Sequence, residues 1–91
     1  MNKDNNILAF DEQTGVLSTN LPEGKTNGEL LELTKGAVKD LETKFHGKTV
    51  KINGRCTVPM ALYLGHALAH ICAGVEVYDP KLASYVPVIS H

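Results

Sequence analysis

Two segments of helical period sit between short runs of strand character, and that alternation leaves few architectures open. The first follows Thr26-Asn27-Gly28-Glu29, a capping box in which a Thr hydroxyl and a Glu three residues on satisfy each other's backbone N–H groups. Leu30, Leu33, Ala37, Leu41 and Phe45 then recur close to helical spacing. Glu32, Lys35, Lys39, Asp40 and Lys44 occupy the other, solvated face. His46-Gly47 ends the segment, with the glycine suited to a left-handed residue. The second segment opens at Val58-Pro59, with proline in the first turn, and runs to about Ala73, where Gly74 stops it.

The strand signals lie on either side. Asn6 to Phe10 and Val16 to Thr19 are short apolar runs joined by the turn sequence Asp11 to Gly15, so they predict a hairpin. Lys48 to Ile52 alternates, with Val50 and Ile52 on one face. Val75 to Tyr78 and Tyr85 to Ile89 close the chain around the turn Asp79 to Ser84. Pro87 cannot donate to a ladder, so its strand is expected at an edge or a bulge. The order strand-strand-helix-strand-helix-strand-strand predicts an α+β, ferredoxin-like sandwich: one sheet of about five strands packed on one face by two helices. At 91 residues, 1–91 is expected to be one domain.

Charge and cysteine content narrow the function classes. A net charge of −1 excludes a broad polyanion-binding surface but allows a small ligand with a few phosphates. Cys56 and Cys72 lack the close spacing of a zinc knuckle and are expected to be buried, reduced thiols. No apolar run is long enough to span a bilayer, and residues 1–6 lack the basic and apolar parts of a signal peptide. The expected location is cytoplasmic, without membrane attachment.

From Leu64 to His91 the chain is almost entirely apolar, yet it carries His66, His70, Asp79, Lys81 and His91. Polar groups in apolar surroundings need partners. Ala61, Leu64, Leu68 and Ile71 form the stripe expected to face the sheet. Leu62, Tyr63, His66, Ala69, His70 and Ala73 lie on the other side. A helix apolar all round is a buried helix, so a second copy of the chain is expected against it. The His66/His70 spacing suits either a metal or a structural contact at that interface. Asn53-Gly54-Arg55 stands where a strand meets a helix, a common anion site, and Arg55 is the chain's one arginine. A salt-bridged loop arginine is the other reading. Asp79-Pro80 suits the start of a type I turn.

Gly54-Arg55, the helix ending at His70, Val77-Tyr78-Asp79-Pro80-Lys81-Leu82 and the closing Val88-Ile89-Ser90-His91 together resemble the third CRISPR ring nuclease family, accessory proteins of type III systems. The resemblance covers residues 52–91, and Ala83 stands where members usually carry glycine. It implies a ferredoxin-like fold, homodimers that associate around the ligand, and manganese-dependent cleavage of cyclic tetra-adenylate. By position it makes His70, Asp79 and His91 the catalytic residues, with Asp79 and His70 associated with Mn2+. Asn53, Gly54, Arg55 and Lys81 are the ligand-contacting positions.

The expected function is therefore a metal-dependent phosphodiesterase that opens cyclic tetra-adenylate to linear oligoadenylates and switches off type III CRISPR signalling. A non-catalytic cyclic oligoadenylate-binding module is one alternative. A manganese-dependent exoribonuclease acting on the 3′ poly(A) tails of RNA is another.

Overall fold

The computed structural model describes residues 7–90. Its elements follow the order expected from the sequence: β1 (Leu8–Asp11), β2 (Val16–Thr19), α1 (Asn27–Phe45), β3 (Thr49–Gly54), α2 (Val58–Ile71), β4 (Gly74–Asp79) and β5 (Ser84–Ser90). The five strands form one sheet in sequence order, β1-β2-β3-β4-β5. The outer pairs β1/β2 and β4/β5 are antiparallel hairpins, and β2, β3 and β4 run parallel. This is an α+β sandwich with a mixed sheet, consistent with a ferredoxin-like fold.

The parallel centre decides where the helices go. Each of α1 and α2 links neighbouring parallel strands, and such crossovers are right-handed, so successive ones in the same direction lie on the same face. Between the helices and the sheet lie Leu17, Phe45, Val50, Met60, Leu64 and Leu68, all fully buried. Phe10 meets Phe45 edge-on, with centroids 5.0 Å apart. Met60 takes the core position that periodicity offered to Ala61, which is exposed. Thr34 is buried on α1, where its hydroxyl donates to the Leu30 carbonyl at 2.8 Å.

Local chemistry sets the boundaries. The Thr26/Glu29 capping box forms in both directions, at 3.1 and 2.8 Å. Thr57 caps α2, its hydroxyl accepting from the Met60 N–H at 3.3 Å. Cys72 ends α2 with extended backbone two residues before the expected stop, and Gly74 opens β4 instead. β5 is an edge strand, and its ladder shifts register opposite Val75/Glu76, where Pro87 pairs with Glu76.

Candidate functional site

The carboxyl ends of β3 and β4 lie side by side, because Ile52 pairs with Val77. Asn53, Gly54 and Arg55 continue from the first strand, and Tyr78, Asp79 and Lys81 from the second. In sheets with parallel strands, ligands bind at such ends. Gly54 has φ +119, and its backbone lies so close to Thr19 that a β-carbon would meet the Thr19 hydroxyl oxygen at 2.8 Å and its nitrogen at 2.9 Å. The Arg55 N–H donates to the Thr19 carbonyl at 3.3 Å, which pins the loop. The Arg55 side chain is exposed and forms no ion pair among the described residues, so the salt-bridged alternative does not hold there.

Asp79 starts the β4–β5 turn. Its Oδ1 accepts from the Lys81 N–H at 2.9 Å, and its carbonyl accepts from the Leu82 N–H at 3.2 Å. This is the β-turn that Asp-Pro suggested, closed by Ala83 in the left-handed region at φ 51. Lys81 is exposed at the turn.

His70 lies elsewhere. It projects from the last turn of α2, beside the start of β4, whereas Asp79 is at the other end of that strand. Five residue-to-residue steps of strand carry the chain from Gly74 to Asp79, roughly 16 Å at 3.3 Å per step. The His70 ring meets His66 edge-on at 4.7 Å between centroids. Both line an open groove of about 640 Å³ between the helices, with Lys35, Lys39, Tyr63 and Ala67. One copy of the chain therefore places Asn53, Gly54, Arg55, Asp79 and Lys81 at one end of the sheet and His70 at the other. The His91 assignment lies outside the described residues. Among those residues no group of three or more His, Cys, Asp or Glu is placed to hold a metal, and Asp79 and His70 of one copy stand toward opposite ends of β4.

One feature escaped the sequence reading. On the sheet face away from the helices, Tyr78 and Tyr85 pair across β4/β5, with centroids 5.2 Å apart. Asn53 Nδ2 donates to the Tyr85 hydroxyl at 3.3 Å, and Lys51 Nζ lies 5.9 Å from the Tyr85 ring centre. Strand alternation carries the signal: Lys51 and Asn53 oppose Val50 and Ile52 in parity, and Tyr78 opposes Val77. The outer side of α2, expected from the sequence to be apolar, carries that character along one flank. Val58 and Leu62 are 72% and 70% exposed, beside Ala61, Gly65 and Ala69 on the same side of the helix.

Burial pushes the thiols of Cys56 and Cys72 up from their ordinary pKa, which keeps them protonated and poor as nucleophiles at neutral pH. Among the described residues, no helix is long and apolar enough to cross a membrane. Comparison with protein-family models, curated proteins and solved structures finds no match.

Proposed function

We propose that this protein is a metal-dependent phosphodiesterase that opens cyclic tetra-adenylate, working as a homodimer whose sites are shared between copies. The observation that carries the reading is that β3 and β4 end side by side, so that Asn53 and Arg55 follow one strand end and Asp79 and Lys81 the other. A guanidinium with no ion pair among the described residues offers a planar fork to a phosphate, and Lys81 adds a point charge. These groups oppose the negative charge that builds on a phosphodiester under attack. An imidazole such as His70 can move a proton to the leaving oxygen or bind a metal.

The exposed flank of α2 supports the dimer. Val58, Ala61, Leu62, Gly65 and Ala69 leave an apolar flank with small residues at its centre, where another helix can approach closely. A two-fold axis beside Gly65 pairs α2 with its copy head to tail. That pairing sets the His70 end of one helix against the end of the other that adjoins Arg55 and Asp79. Asp79 of one copy and His70 of the second would then be the residues to hold Mn2+, an ion that accepts both carboxylate and imidazole. Bound there, the ion would supply neutralising charge to the phosphate. Association of two such dimers around the ligand and a cytoplasmic location complete the proposal.

A non-catalytic binding module is the second reading, favoured by the structural work Asp79 already does in its turn. Incubating cyclic tetra-adenylate with the protein, with and without manganese, and separating the products by chromatography tests both. Linear oligoadenylates formed only with metal support the enzyme. An intact ring that co-elutes with protein supports the module, and an intact ring without binding contradicts both.

A further inference from the structure

We propose that the open face of the sheet carries a stacking site for an unpaired nucleobase, built from Tyr85 and Tyr78 with Asn53 and Lys51 beside them. The proposal rests on the nucleotide-binding part of the reading above and not on cleavage. Both helices lie on one face of the sheet, so nothing in the described fold covers these rings. The two rings support each other at a 66° angle, and the Asn53 amide holds the Tyr85 hydroxyl. An aromatic surface, an amide and a cation in one cluster match the three chemistries of a nucleotide: the base face, the base edge and the phosphate.

The alternative occupant is a second copy of the chain. Lys51, Asn53 and Glu76 lie in the middle of the face, and burying them there without partners would be costly. A nucleotide leaves them hydrated. The site is also continuous with the Arg55 edge, since Asn53 belongs to both. Lys51 rests over the Tyr85 ring in the free protein. A base that takes that ring face releases the ammonium towards the phosphate, and base stacking is the stronger of the two contacts. Glu76 sits opposite Lys51 in the ladder and repels phosphates, so stacking rather than charge leads the binding.

The chain has no tryptophan and three tyrosines, so tyrosine emission reports on this face. A Tyr63→Phe background removes the tyrosine that lies in the helix groove instead. Titration with a short linear oligoadenylate is expected to quench the emission. Tyr85→Phe keeps the ring and should keep the affinity, and Tyr85→Ala should weaken it roughly tenfold or more. Glu76→Gln should tighten binding a few-fold at low salt. If Tyr85→Ala does not fold, Lys51→Glu replaces it, with weaker binding expected. Absence of quenching, or wild-type affinity in folded Tyr85→Ala or in Lys51→Glu, overturns the site. Quenching by linear oligoadenylate while cyclic tetra-adenylate is neither bound nor cut contradicts the phosphodiesterase and supports the stacking face. Cleavage of cyclic tetra-adenylate that is indifferent to Tyr85→Ala, with no quenching, does the reverse.

Discussion

Gly54 lies against the backbone of Thr19, so close that the strand end of β3 has no room for a β-carbon. The contact sets the path of the Arg55 loop. Gly54→Ala combines a forced positive φ with a collision against backbone that cannot swing away. The expected loss of stability is about 2–4 kcal/mol. Urea unfolding followed by circular dichroism measures it, and an unchanged midpoint would show that the loop can rearrange.

Ala83→Gly should work in the other direction. Alanine at φ 51 carries left-handed strain of roughly 1–2 kcal/mol, and glycine returns about 0.5–1 kcal/mol of that as chain entropy. A net gain of about 0.5–1 kcal/mol in unfolding free energy is expected, with nucleotide binding unchanged.

Glu12 ties the β1–β2 turn to the far end of α1. Its carboxylate lies 3.2 Å from Lys44 Nζ and 3.7 Å from Lys48 Nζ, and Lys44 chiefly lowers its pKa. A lowered folded pKa favours the charged form, so this contribution is present above the ordinary glutamate pKa. It is lost as pH falls through the lowered value. The pair is exposed and its effect is small. At low salt and neutral pH the melting temperature should exceed that of Glu12→Gln. The gap should close in acid and in roughly 1 M salt.

Arg55→Lys keeps the charge and loses the planar fork. Calorimetric affinity for cyclic tetra-adenylate should fall by about 1–3 kcal/mol. Equal affinity for the two proteins would show that Arg55 makes no paired contact with phosphate.

Much of this fold was legible because local signals agreed with the global pattern. The Thr26/Glu29 box, the left-handed Gly47 at φ 74 and the edge position of Pro87 all form as their chemistry dictates. Strand ends moved by one or two residues, since pairing rather than propensity sets them. Spacing along the chain could not show that His70 and Asp79 stand at opposite ends of β4, because chain distance carries no direction. The Tyr78/Tyr85 pair was hidden for a related reason: the two rings meet only once the ladder register is known.

The shared site is the central claim, and mixing two inactive variants tests it most directly. His70→Ala and Asp79→Asn are each expected to fold and to leave cyclic tetra-adenylate intact in manganese. When their subunits exchange, half of the dimers should be mixed, and each of these should carry one complete site made from the Asp79 of one copy and the His70 of the other. Cleavage should then return to about a quarter of the wild-type rate. No cleavage after verified subunit exchange would contradict a site built between copies, and so would full activity in either variant alone.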